Sequence, residues 1–311
     1  MTYKTLHTKL FGTNIKISIY HNNPDPILST CEMLLTYYHK LLSFYDDESI
    51  ISKINQNAGI KSIQVDDETF KLIQSGKLHS LEEKSNLNIC LGPLVKLWDI
   101  GFDSAKVPSD GKLNQALKHT DPNNLILDKY TNNVYLSKKG MSINLGAIAK
   151  GFIADAILTY LKEQGIISAI IDLGGNILTH GFNLKSPTLN WRIGLQNPLE
   201  KRGIHLTTLE LNDLSIVTSG VYERKSIVNG NAYHHIINPK TGRPLNTNML
   251  SLSIISKESL NADIYSTMYF GIPFDEIELA SKDKGFDAIA IYKGNILRYT
   301  KVCRKFRRDE F

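Results

Sequence analysis

Cysteine is scarce in this 311-residue chain. Cys31, Cys90 and Cys303 are odd in number, far apart and without a C-x-x-C pair, which argues against a disulfide framework and a cysteine zinc site. Long apolar runs are also missing, and no stretch approaches the roughly 18 residues of a membrane span. Polar residues interrupt Met1–Gly12 too often for the apolar core of a secretory signal. The chain therefore reads as cytoplasmic, as would one from which an export signal had been removed. A dominant charge is absent too, with 36 Lys+Arg against 31 Asp+Glu. Most of the surplus lies at the end, where Arg298, Lys301, Arg304, Lys305, Arg307 and Arg308 meet only Asp309 and Glu310. A nucleic-acid binder lines a whole face with basic residues. This cluster reads instead as a solvated terminus, and no nucleic-acid partner is expected. There is no Walker loop, no G-x-G-x-x-G fingerprint and no short repeat.

What remains is a soluble globular composition, 42% hydrophobic and 22% charged, long enough to bury a substantial core. Alternation predicts a strand from Phe11 to Tyr20 with Ile15, Ile17 and Ile19 on its buried face. Asn22–Pro26 reads as a turn, Ile27–Leu42 as an amphipathic helix and Asp66–Leu81 as a second helix. Leu87–Trp98 mixes strand and loop signals around Gly92-Pro93, and Leu113–Leu117 suggests a short helix. Strands are expected at Leu125–Leu127 and Asn133–Leu136, then a helix over Phe152–Gln164 stopped by Gly165, then a strand over Ile166–Leu173. Further strands follow at Trp191–Gln196, Ile204–Leu209, Ser215–Thr218, Ala232–Ile237 and Leu250–Ser256. A helix starts within Ala262–Phe270 and another covers Phe274–Lys282, with strands at Ala288–Tyr292 and Ile296–Arg298. Strands in runs with interspersed helices argue for an α+β fold of mixed or antiparallel sheets flanked by helices. The chain reads as one unit over 1–311, or as two intertwined subdomains with no boundary marked in the sequence.

Three segments carry candidate chemistry. Gly146-Ala-Ile-Ala-Lys-Gly151 precedes a helix, whose free N–H groups and positive dipole end favour an anion, with Lys150 adding a full charge. The two glycines read equally well as packing and turn residues. Asp263 and Thr267 stand at i, i+4 near a helix start, a carboxylate and a hydroxyl suited to a hard cation such as Mg²⁺. An acid favourable at a helix start, with a threonine beside it, is the simpler account of that pair. In Tyr233-His234-His235-Ile-Ile-Asn-Pro-Lys-Thr-Gly242 two adjacent histidines on a strand point to opposite faces. They cannot share a metal, and either can act as a base near neutral pH. No other histidine pairs with them at a zinc spacing.

Seven motifs in order, spanning nearly the whole chain, resemble the ApbE family of flavin transferases. They are Phe11-Gly12-Thr13; Leu42-Ser43-Phe-Tyr45 with Ser49, Ser52 and Asn55; Gly92-Pro-Leu-Val-Lys-Leu-Trp98; Leu145–Gly151 with Asp155; Asp172-Leu-Gly-Gly-Asn176; Thr218-Ser-Gly220 with His235–Gly242; and Ala262-Asp263 with Ser266-Thr267. The resemblance implies an ApbE-like, T-fold-like architecture and an FAD:protein FMN transferase, which modifies its partner after translation. FMN would pass from FAD to a Thr or Ser hydroxyl in the flavinylation motif of an acceptor protein, a redox or electron-transport subunit, and AMP would leave. It further implies Mg²⁺ held by Asp263, Thr267 and the main-chain oxygen of Ala147, and catalysis by Asp263 with His235 as base. Flavin-nucleotide contacts are implied at Phe11, Tyr45, Asn86, Leu87, Asn88, Asn144, Lys150, His235 and Ile236. The chain departs from the family at Asn88, Asn144 and Asn238, where Asp is usual, and at Phe11, which replaces a methionine. The Asn residues keep an acceptor oxygen but lose a charge, which bears on metal affinity more than on nucleotide binding. An FAD pyrophosphatase, with water as the nucleophile, and a flavin carrier without turnover are the alternatives. The family's target signature, an Asp-Gly-Ala-Thr-Gly-like stretch, does not occur in the chain, so self-flavinylation is not expected.

Overall fold

The computed structural model describes residues 1–306, except the side chains of Val302, Arg304 and Lys305, so much of the C-terminal basic cluster lies outside the described residues. The chain opens with a hairpin of β1 (Thr2–Leu10) and β2 (Thr13–His21). Phe11 and Gly12 turn it with positive φ, 54° and 71°, the hand that matches the twist of two paired strands. β1 has no strong sequence signal, because an edge strand is at most half-buried and tolerates a Thr/Lys/His pattern. In β2, Ile15, Ile17 and Ile19 are fully buried as predicted, but Ser18 and Tyr20 are buried as well.

Helix α1 (Pro24–Leu42) starts inside the expected turn, since the fixed φ of proline suits a first helical turn. α2 (Ile50–Gln56), β3 (Ile63–Gln64) and α3 (Asp67–Ser80) follow. α4 (Gly92–Trp98) replaces the expected strand-and-loop mixture, again with proline in its first turn. α5 (Asp110–Leu117) leads to β4 (Leu125–Asp128) and β5 (Asn133–Leu136), which form a small sheet in the order β3-β5-β4. Next come α6 (Ala149–Glu163), β6 (Ala169–Leu173), β7 (Asn176–His180), β8 (Trp191–Gln196), β9 (His205–Leu211) and β10 (Ser215–Gly220). β11 (Lys225–Val228) and β12 (Asn231–His234) form a ribbon of their own. β13 (Met249–Ser256), α7 (Ser259–Met268), α8 (Phe274–Lys284), β14 (Asp287–Tyr292) and β15 (Ile296–Tyr299) complete the named elements.

The main sheet has eight strands in the order β1-β2-β6-β7-β10-β13-β14-β15, and every neighbouring pair is antiparallel. On one face the helices bury Leu35, Ile73, Ile153, Ile157, Ile264 and Ile277 against Ile17, Ile171, Leu252 and Ile254. On the other, the β8–β9 hairpin packs Trp191, Ile193, Leu209 and Leu211 on Tyr20, Ile216, Ile255 and Ile289. This double cover explains why β13 is buried at every position and why Tyr20 is not on a solvent face. A smaller cluster of Leu94, Trp98, Leu113 and Ile237 joins α4 and α5 to the segment after β12. The fold is α+β, as the run of strands implied, and of the two sheet arrangements expected, mixed or antiparallel, the strands adopt the antiparallel one. Among the described residues no helix is long and apolar enough to cross a membrane.

Candidate active site

Several recurring motif residues turn out to build the scaffold. Ser43 Oγ accepts from the amides of Tyr45 (3.3 Å) and Asp46 (3.1 Å), and Ser49 Oγ accepts from Ser52 to cap α2. Asn55 pairs with Ile143 in both directions, Nδ2 to the carbonyl at 3.0 Å and the amide to Oδ1 at 2.7 Å. That pair pins the extended segment that delivers Gly146 and Ala147 to the start of α6. Trp98, 1% exposed, donates from Nε1 to the Gly242 carbonyl at 2.7 Å and so anchors the turn that follows His235.

The start of α6 meets α7. Gly151 N–H donates to Asp263 Oδ2 at 2.8 Å, and a Cβ on Gly151 would collide with the Ser259 carbonyl and come within 2.8 Å of Asp263 Cβ. In a regular first turn the same N–H would serve the Ala147 carbonyl. Given to Asp263, it leaves that carbonyl with no main-chain donor among the described residues. Asp263 is buried, and desolvation raises its pKa, opposed chiefly by the Lys150 charge and the Gly151 bond. A cation fits beside a buried carboxylate so thinly compensated. Thr267, one turn further along α7, has its hydroxyl 3.3 Å from Ser219 Oγ on β10, which also lies 2.9 Å from Ser266 Oγ. Among the described residues no three His, Cys, Asp or Glu side chains gather as a metal cluster. Carboxylate, hydroxyl and carbonyl oxygens suit a hard cation that keeps waters, rather than zinc.

The two histidines differ, and not in the way strand alternation suggests. β12 ends at His234, so His235 lies beyond it. His234 is used up by the fold, with Nε2 donating to the Leu245 carbonyl (2.9 Å) and Nδ1 accepting from the Ile236 amide (3.3 Å). His235 Nδ1 lies 3.1 Å from the Arg224 carbonyl, which can only accept, so Nδ1 carries the proton and Nε2 keeps a lone pair. The His235 pKa is pushed down to about 4, first by burial of the ring and then by the charges of Arg224, His234 and Lys150, against the Arg224 carbonyl. The residue remains exposed to water at its surface, which offsets part of the burial; the cations act in the same downward direction. At neutral pH the ring is neutral, with Nε2 available as a base.

Lys150, at the positive end of α6, is felt by both Asp263 and His235. Phe11 sits at the β1–β2 turn, edge-on to His39 at 4.8 Å, and its carbonyl lies 3.5 Å from Arg224 Nη2. Tyr45 is 53% exposed, its ring 5.1 Å from that of Phe102, which is 45% exposed. Sequence reasoning passed over Phe102 and gave Arg224, in the Thr218–Arg224 stretch, no role, for no local pattern marks a loop aromatic or an arginine whose neighbours are distant in the chain. Other predicted contacts face inward. Leu87 and Ile236 have buried side chains, and Asn86 ties its segment to α7 through the Met268 and Phe270 carbonyls. Asn88 spends both ends of its amide, donating to the Thr120 carbonyl and accepting from Cys90. Asn144 Oδ1 accepts from Gly146, and Asn238 Oδ1 accepts from Lys240 and Thr241. Each of the three Asn side chains thus holds a turn with its oxygen, a task that needs no charge, and Asn88 adds a donor bond that a carboxylate could not make. A cavity of about 580 Å³ beside Lys162, Lys257 and Asp287 contains none of these residues.

The family model for the ApbE family matches residues 11–290. An FAD:protein FMN transferase of Klebsiella pneumoniae is 37% identical over 285 residues, covering 91% of this chain and 87% of that protein. A second, from Treponema pallidum, is 32% identical over 305 residues, covering 93% and 84%. Among solved structures, the ApbE protein of Thermotoga maritima superposes with a TM-score of 0.90 at 27% identity, covering 99% of this chain and all of that one. The flavin transferase ApbE of Vibrio cholerae shares the fold with a TM-score of 0.85 at 23% identity, over 98% of this chain and all of that one.

Proposed function

The chain belongs to the ApbE family, and from that membership we propose its activity: it is an FAD:protein FMN transferase, moving FMN from FAD to a Thr or Ser hydroxyl of an acceptor protein and releasing AMP. The observation that carries the reading is the Gly151–Asp263 bond, which brings two remote segments together and frees the Ala147 carbonyl. Asp263, Thr267 and the Ala147 carbonyl would hold Mg²⁺, which when bound neutralises the diphosphate and polarises the attacked phosphorus. Lys150 and the amide end of α6 draw the diphosphate to the same place. Tyr45 and Phe102 offer an exposed aromatic surface for the flavin ring. His235 Nε2 takes the proton of the acceptor hydroxyl. The acceptor oxygen bonds to the phosphorus of the FMN half as the bridging P–O bond breaks, and the bridging oxygen leaves with AMP. The acceptor is a redox or electron-transport subunit. Incubation with FAD, Mg²⁺ and a candidate acceptor, read by intact mass, tests the proposal. An acceptor heavier by FMN is expected. AMP release without labelled acceptor would make the chain an FAD pyrophosphatase, and unchanged bound FAD would make it a carrier.

A further inference from the structure

The helix that bears Asp263 and Thr267 does not cap itself. Glu258 precedes α7 without a capping bond, and its carboxylate accepts instead from Asn261 Nδ2 at 2.7 Å. The first two amides of α7 go to Asp155, remote in sequence on α6. Ser259 N–H donates to Oδ1 at 2.9 Å and Leu260 N–H to Oδ2 at 2.8 Å. Asp155 stands one turn after Gly151, on the same face of α6. α6 therefore grips α7 at two levels, through Asp155 at its first turn and through the Gly151 amide at Asp263. The Ser259 side chain is fastened as well, donating to Asn176 Oδ1 (2.7 Å) and accepting from Ser215 Oγ (3.0 Å). Asn176 Nδ2 is buried without a well-aligned hydrogen-bond partner among the described residues, and it lies near enough to Asp263 to favour its charged form.

A serine at position 258, the N-cap of α7, would satisfy one first-turn amide only, that of Leu260 or Asn261. An acid from α6 does something more. With each oxygen on a different amide it fixes both the depth and the rotation of α7 against the helix that begins beside Ala147. We propose that Asp155 is a positioning residue for the cation site, registering Asp263 and Thr267 against the Ala147 carbonyl without touching the cation itself. Burial pushes its pKa up to about 6, opposed by the two amide bonds and reinforced by Glu258 and Asp263, so the acid is held there at an electrostatic cost that a merely local cap would not need. The inference rests on the flavin-transfer reading for its cation.

The test titrates Mg²⁺ alone into the full chain by calorimetry, beside FAD binding in EDTA by flavin fluorescence and thermal melting. Asp155→Asn turns an N–H donor toward an amide and should weaken Mg²⁺ binding about 10–100-fold, the usual effect of losing a group that orients a ligand. FAD binding in EDTA should stay at the parent value. Asp155→Glu keeps the charge and both acceptors but adds a methylene, and should weaken Mg²⁺ binding while melting close to the parent; it decides the matter if the Asn variant does not fold. Asp66→Ala removes the cap of α3, where Asp66 accepts from Thr69 at 2.8 Å, and controls for lost stability alone. It should lower the melting temperature and leave Mg²⁺ affinity unchanged. Parent-like Mg²⁺ binding in both Asp155 variants, equal weakening by Asp66→Ala, or a parent that binds no Mg²⁺ would overturn the proposal. A parent that binds Mg²⁺ but neither labels an acceptor nor releases AMP would sink the activity and leave the Asp155 comparison standing.

Discussion

His235 and Asp263 are held in opposite ways. Burial, helped by the Arg224 and Lys150 charges, keeps His235 neutral, with its pKa lowered to about 4. A folded-state pKa below the unfolded value means that the folded chain binds fewer protons between those two values. The His235 contribution to stability is therefore complete above the ordinary histidine range and is lost as pH falls toward 4. The same sign governs activity. Transfer should keep its base well below pH 6.5, and His235→Gln should lose about 10²–10⁴-fold in kcat/KM. A pH profile of kcat/KM checks both points, and a wild-type acid limb at the ordinary histidine pKa that persists in His235→Gln would remove His235 as base. Asp263 is a carboxylate that burial disfavours in its charged form. Asp263→Asn keeps an acceptor for Gly151 but drops the charge. It should melt no lower than the parent in EDTA at pH 7, yet lose metal-dependent turnover by about a hundredfold or more. Differential scanning calorimetry and an AMP-release assay read the two halves of that expectation.

The α6–α7 crossing is the element on which the site depends, and Gly151 sets how close it can be. Gly151→Ala places a methyl group against the Ser259 carbonyl and Asp263 Cβ. Such overpacking costs about 1–3 kcal/mol. Urea unfolding should show that loss, together with a weaker Mg²⁺ requirement curve, because the same shift moves Asp263 from Ala147. Intact Mg²⁺ dependence in a folded Gly151→Ala protein would mean that the crossing does not set the cation site. Glycine at this position was legible in the sequence only as a glycine before a helical run. An anion-binding loop and a mere packing or turn glycine could not be told apart there, since the reason lies 112 residues away in Asp263. The segment after β12 repeats the lesson, for strand alternation treated His234 and His235 as equivalents on two faces. The strand stops between them, and hydrogen bonds to Leu245 and Arg224 decide which nitrogen is free.

At the scale of the whole molecule, the eight-stranded sheet is covered by helices on one face and by the β8–β9 hairpin on the other. Its interior strand β13 has no solvent face. Ile254→Ala should therefore cost about 2–5 kcal/mol, the range for a large-to-small change in a closed core. Denaturant unfolding measures it, and a loss below 1 kcal/mol would show that the core collapses around the gap.

By itself, the order of residues determined most helices and strands, the α+β class and, through seven motifs in series, the family. Those properties follow from periodicity and from short strings that carry their own turns and caps. It did not determine that Ser43, Ser49, Asn55 and Trp98 serve as scaffold, that the Asn88, Asn144 and Asn238 oxygens are spent on turns, or that Asp155 clamps α7. Only the tertiary structure decided these, because a hydrogen bond is set by distance in space, and the partner of each group lies on a segment that its own neighbours in sequence do not specify.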